Sequence, residues 1–154
     1  MEEKTKCPLC KDLHNNCFVE KTEIEGKLFF GSPWSPNFGN WHFMKKRSKL
    51  ASHWDKVLIE GIDLLITHGP PKGVLDLSED QNRNLEMCGC SGLMKAVVKY
   101  EPKHHVFGHI HDNKNIVNFG TRVLNNTTFH NASAVKDGDF HLPPKNASGI
   151  IIEI

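Results

Sequence analysis

The stretch from Gly61 to His111 constrains the fold more than any other part of the chain. It holds a short apolar run, "GIDLLITHGPP", then a helical segment, "CGCSGLMKAVVKYEP", then a second apolar run, "HHVFGHIH". Pro70 and Pro71 forbid the first run from continuing as a strand. In the helical segment Leu93, Val97 and Tyr100 share one face, and the helix is expected to end before Pro102, because the residue preceding a proline avoids helical backbone. A strand, a helical crossover and a parallel strand form a right-handed unit in nearly all proteins. In such sheets ligands bind beyond the carboxyl ends of the strands. "THGPP" follows "DLLI" and "GHIH" follows "HHVF", so both histidine groups are expected at that rim.

The flanking segments extend this pattern. "CFVEKTEIEGKLFFGSPW" predicts two short strands around a Glu25-Gly26 turn. "GSPWSPNFGNW" has too much Gly and Pro for regular structure and predicts a loop carrying Trp34, Phe38 and Trp41. From Trp41 to Ile59 the pattern is helical, with Leu50, Trp54, Val57 and Leu58 on one face and Lys and Arg opposite. Residues 77–86 form a polar stretch. "NIVNFGTRVLNN" and "TTFHNASAV" predict antiparallel strands, and "GIIIEI" predicts a buried closing strand. Strand–helix–strand–helix–strand followed by strands alone is an α/β order, and 154 residues make about one domain.

Charge and composition exclude several classes. Lys+Arg is 19 and Asp+Glu 18, a net charge of +1, which offers no basic face for nucleic acid and no polybasic membrane anchor. No apolar run approaches the roughly 20 residues a bilayer requires. The start, "MEEKTKCPLC", is charged and lacks an apolar h-region, so no signal peptide is read and an intracellular, cytoplasmic location is expected. The five cysteines are odd in number, against a disulfide framework. Cys7-Pro-Leu-Cys10 supplies half of a tetrahedral zinc site, and no second such pair exists.

The histidines of "HVFGHIHDN" carry the chemistry. His109 and His111 lie two apart, so they would share a face if extended, while in a loop each could turn toward a different ion. Gly108 is expected to make the sharp exit from the strand. His68 holds the matching position after the preceding strand. Adjacent strands lie about 5 Å apart, so three imidazoles can meet at one rim. His14, His42, His53, His130 and His141 lack such spacing and read as surface or satisfied core residues.

"THGPPKGVLD", "GC" at 89–90, "HVFGHIH" and "NASAV" together resemble the C-terminal half of calcineurin-like metallophosphoesterases, and "FFGSPWSPNFGNWHF" resembles the small metallophosphoesterase-domain-containing branch. The resemblance runs from about Asn16 to Ile154. It implies part of an αββα sandwich, here a mixed β-sheet with flanking helices over residues 16–154, after an irregular segment 1–15. It implies metal-activated water attacking a phosphate ester, often a phosphodiester, with Mn, Zn, Fe or Mg as the ion. His68 and His109 resemble ligands of the second metal, and His111 a ligand of the first. Gly69, Pro70 and Gly108 are candidate substrate-binding positions, and the implied substrate is a small phosphate ester, nucleotides included. The aromatic loop is expected to pack over the rim near His68.

The family also carries D-x-H, G-D-x-x-D and G-N-H-D/E motifs, which supply carboxylates, an Asn and a leaving-group His. Asp12-Leu13-His14 imitates the first, but "CPLC" precedes it where the family has an apolar strand. The expectation is therefore a truncated or degenerate site with no assignable catalytic residue, holding at most one ion. A catalytically inactive metal-binding or regulatory module is the alternative, as is a single-ion site of His68, His109, His111 and Asp112. Half a sandwich would also expose apolar strand surface and favour association through the sheet.

Overall fold

The computed structural model describes residues 20–113, 115–133 and 149–154. Cys7, Cys10, Asp12, His14, His141 and the segment 1–15 lie outside the described residues. The chain enters through a hairpin of β1 (Glu20–Ile24) and β2 (Lys27–Ser32), joined by Glu25 and Gly26. Both turn residues are left-handed, at φ 51° and 74°, as a two-residue type I′ turn requires.

The aromatic loop follows, closed at its base where β3 (Ser35–Pro36) pairs in parallel with β4 (Met44–Lys45). This pairing corrects the expected start of the first helix. Residues 41–46 serve the loop, Phe43 is left-handed at φ 59°, and α1 spans only Arg47–Val57. The apolar stripe itself is as expected, with Leu50, Trp54 and Leu58 buried.

β5 (Leu64–Thr67), β8 (His104–Phe107), β9 (Gly120–Leu124) and β10 (Thr127–Asn131) complete a six-stranded sheet in the order β1-β2-β5-β8-β10-β9. Its four central strands are parallel and its two edges antiparallel. The β5–β8 neighbours anticipated from the sequence are thus adjacent and parallel, and β9–β10 is the expected antiparallel pair. α2 (Ser91–Tyr100) packs beside α1, and Gly92 lies against the backbone of Ala51. Both helices cover one sheet face, where Leu50, Trp54, Leu93 and Val97 meet Phe30, Leu65, Phe107 and Phe129 in one buried cluster. The chain is α/β, with a mixed sheet and two helices among the described residues.

The polar stretch read at residues 77–86 is largely taken up by a hairpin, β6 (Leu77–Glu79) with β7 (Leu85–Met87). Its turn is made by the Asp80 carboxylate, which accepts from the amides of Asn82 and Asn84, each at 2.8 Å. Because the hairpin is largely exposed, its sequence carries no alternating apolar signal. "GIIIEI", residues 149–154, pairs with no strand of the described sheet, and Ile151 is 91% exposed. A run of isoleucines has the propensity for the strand expected here, but propensity alone does not form one without a pairing partner. Among the described residues no helix is long and apolar enough to cross a membrane.

Candidate functional site

The parallel strands β5, β8 and β10 all end at one rim, and each ends in a polar or turn-forming residue. β5 passes through Thr67 into His68-Gly69, β8 through Phe107 into Gly108-His109, and β10 ends at Asn131. The first two loops are joined directly, the Gly108 amide donating to the His68 carbonyl at 3.1 Å. This register brings His68 and His109 side by side, with ring centroids 4.7 Å apart and planes at 42°.

His109, not Gly108, takes the left-handed conformation after β8, at φ 73°. This corrects the expected role of Gly108, whose φ is not positive. A side chain on Gly108 would instead press on the Ser133 hydroxyl, 3.2 Å from its Cβ position. Non-glycine residues rarely adopt this backbone, and it is held only where surrounding contacts over-determine it. Those contacts are visible. The Ile110 amide donates to the Gly108 carbonyl at 2.9 Å, and the Ile110 carbonyl accepts from Asn131 Nδ2 at 3.0 Å.

His109 is half-buried, and its pKa is pushed down to about 4 by burial first, then by the neighbouring charges of His68 and His111. Its imidazole is therefore neutral at pH 7 with a free nitrogen lone pair, the form that binds metals. His68 is exposed. The His111 carbonyl is held by Asn118 Nδ2 at 2.9 Å. Asp112 is occupied structurally: its Oδ1 accepts from the amides of Asn118 and Phe119, at 2.6 and 2.8 Å, and so fixes the turn after His111. Among the described residues no group of three or more His, Cys, Asp or Glu is gathered to hold a metal ion. The His68–His109 pair thus fits the nitrogen portion of a metal's donor set and leaves the rest of that set to be supplied.

Two cavities flank the pair. One, of about 420 Å³, is lined by Phe38, Arg47, Gly69, Pro70, Cys88 and His109 among others. The second, of about 460 Å³, includes Phe38, Trp41, His42, Phe43, His68 and His109. The aromatic loop therefore does lie over the rim. Phe38 packs on the His109 ring at 4.6 Å between centroids, while Trp34 turns the other way onto Phe43 and His53. Gly69 and Pro70 line the first cavity, whereas Gly108 lines neither.

Several supporting residues lie within the quoted strings, yet nothing in their sequence gives the role the structure shows. The Thr67 hydroxyl donates to the Gly69 carbonyl at 2.8 Å and also lies 2.9 Å from His105 Nε2. A hydroxyl has one proton, so Nε2 must be the donor in the second bond, which fixes the His105 tautomer. Asn131, fully buried, donates from Nδ2 to the carbonyls of Leu75 and Ile110, each at 3.0 Å, and accepts from the Ser133 amide at 2.9 Å. One side chain thereby ties the ends of three loops. Asn131 opens the "NAS" triplet, but nothing local marks it as a buried cross-link.

No family model matches the chain. It is 38% identical over 128 residues to human "Metallophosphoesterase domain-containing protein 1" and equally to the mouse protein of that name, covering 80% of this chain and 36% of each relative. It is 35% identical over 133 residues to the Caenorhabditis elegans "UPF0046 protein K07C11.7", covering 81% of this chain and 42% of that protein. The chain thus spans less than half of the length of these relatives. Aligned through most of its length with proteins that carry this domain name, and folded as an α/β sheet with its histidines at the carboxyl rim, the chain belongs to the metallophosphoesterase-domain family, in the branch with the UPF0046 proteins.

Proposed function

We propose that this chain carries the histidine portion of a metal-dependent phosphoesterase centre, acting on phosphate esters and on phosphodiesters in particular. The observation behind this reading is the pairing of His68 and His109, 4.7 Å between ring centroids, beside two open cavities at the carboxyl rim. His68 and His109 would hold a single divalent ion, and His111, which is not gathered with them here, would join only by turning toward it. The remaining donors would come from the part of the relatives' length that this chain does not span. Such an ion lowers the pKa of a bound water and polarises a phosphoryl oxygen. The chain's own contribution is to keep the His109 imidazole neutral, to fix the loop that carries it through Asn131, and to wall the site with Phe38 and Trp41. The substrate in this reading is a small phosphate ester, with nucleotides among the candidates.

Calorimetric titration with Zn²⁺ or Mn²⁺ tests the metal. At most one ion per chain is expected. Losing an outer-sphere partner alone typically costs about 10–100-fold in metal affinity, so His109→Ala is expected to cost at least that. Two tightly held ions per chain would overturn the half-site reading. Hydrolysis of bis-p-nitrophenyl phosphate with Mn²⁺ is expected to be very slow for the chain alone. Mixing with the N-terminal part of a full-length relative is expected to restore it, and His109→Ala or His111→Ala to abolish the restored rate. Rapid hydrolysis by the isolated chain, lost in those variants, would show the site to be complete.

A further inference from the structure

Arg47 opens α1 and reaches across to the loop before α2. Its Nη1 donates to the Gly89 carbonyl at 2.8 Å and its Nη2 to the Cys88 carbonyl at 3.0 Å. A guanidinium has five N–H donors in a rigid fork, so three remain after these two bonds. The residue is exposed, and it lines the same cavity of about 420 Å³ as His109, Gly69 and Pro70. Among the described residues it is the only Lys or Arg on that cavity, and Glu86 the only acid. A fork already fastened at both terminal nitrogens loses little freedom when it takes up an anion. A strut between α1 and the 88–89 loop would need the same two bonds. It would not need an accessible guanidinium facing the histidine rim.

Resting on the phosphoesterase reading above, we propose that Arg47 is the residue that recognises the phosphoryl group of the substrate, donating its remaining N–H groups to non-bridging phosphate oxygens while the ester lies against the His68–His109 pair. The planar fork matches a phosphate oxygen pair in a way a lysine ammonium does not. Glu86 opposes free anions in this cavity and so favours esters with fewer negative charges, as a phosphodiester has.

The test is an NMR titration of the full chain with inorganic phosphate, without metal, following backbone amides and the Arg47 Nε–H. Saturable shifts are expected at Arg47 Nε–H, Gly69 and His109. Arg47→Gln removes the charge and the fork, its amide falling two bonds short of the carbonyls, and is expected to weaken phosphate by about tenfold or more. Arg47→Lys is expected to recover only part of that loss. Glu86→Gln, on the exposed hairpin, is expected to tighten phosphate several-fold, a change that a purely structural arginine would not produce. Affinity unchanged in both Arg47 variants and in Glu86→Gln, or shifts confined to surface lysines, would overturn the assignment. A Zn²⁺ titration followed at the His68 and His109 ring signals separates the two readings. If zinc binds and phosphate ignores Arg47, the arginine assignment falls alone. If phosphate binds through Arg47 and zinc does not bind, the metal reading falls alone.

Discussion

His109 occupies an unfavourable backbone conformation. At φ 73° an L-residue carries a penalty of roughly 1–2 kcal/mol that glycine escapes. His109→Gly is therefore expected to be more stable than His109→Ala by about 1 kcal/mol in chemical denaturation, although both lose the imidazole. Equal stabilities would mean that the loop relaxes out of the left-handed conformation once the ring is gone. His105 makes a different demand. It is fully buried, and its pKa is lowered to about 3 by desolvation and then by the charge of His130. The unfolded chain takes up this proton near pH 6.5 and the folded chain only near 3, so between those values the unfolded state holds more protons. The stability this group allows is complete above about pH 6.5 and declines as pH falls toward 3, by at most about 1.4 kcal/mol per unit. His53 and His130, both lowered chiefly by burial, act in the same direction. The urea midpoint is expected to fall clearly between pH 7.5 and pH 5, and a midpoint that rises on acidification would contradict the buried, neutral state of these rings.

At the scale of elements, the two helices are held together by an absence of side chain. A Cβ on Gly92 would lie 2.7 Å from Ala51 Cα and 2.8 Å from its amide nitrogen, both backbone atoms that cannot swing aside. Gly→Ala within a helix ordinarily gains up to about 1 kcal/mol. Here the enforced separation of α1 from α2 is expected to outweigh that gain, destabilising Gly92→Ala by roughly 1–3 kcal/mol. Thermal unfolding of the variant measures it, and an unchanged or raised Tm would show that the helices part at no cost. The helix faces were legible in sequence because Leu50 and Trp54, or Leu93 and Val97, recur at helical spacing and all four are buried. The hairpin of β6 and β7 was not, because its stability comes from Asp80 and from the clamp of Asn118 on Leu77, not from an apolar face. Asn118 accepts from the Leu77 amide at 3.1 Å and donates to its carbonyl at 2.9 Å, a bond pair reaching across 41 residues.

For the molecule as a whole, the sheet has two unlike faces. One is sealed by α1 and α2. On the other, Ile66 is 45% exposed and Val123 68%, so among the described residues part of an apolar face stands open. Apolar sheet surface of this kind favours association. Light scattering over a broad dilution series is expected to show an average mass that grows with concentration, and Ile66→Thr combined with Val123→Thr to reduce that growth. A constant monomer mass throughout would remove this expectation.

The local sequence determined the parallel β5–α2–β8 core and the placing of His68 and His109 at its carboxyl rim. Apolar periodicity, proline stops and the handedness of the crossover are properties of neighbouring residues, and they leave little choice of topology. Tertiary structure decided the rest. The bonding of Thr67 to His105 across 38 residues, the Asn131 link to Leu75 across 56, which also ties down the loop of the left-handed His109, and the reach of Arg47 to Gly89 across 42 join residues that the chain keeps far apart. Such bonds satisfy polar groups that only the packed fold brings out of water, so no local pattern announces them. The strand propensity of "GIIIEI" shows the converse: the segment pairs with neither edge strand of the described sheet, and propensity alone builds no strand.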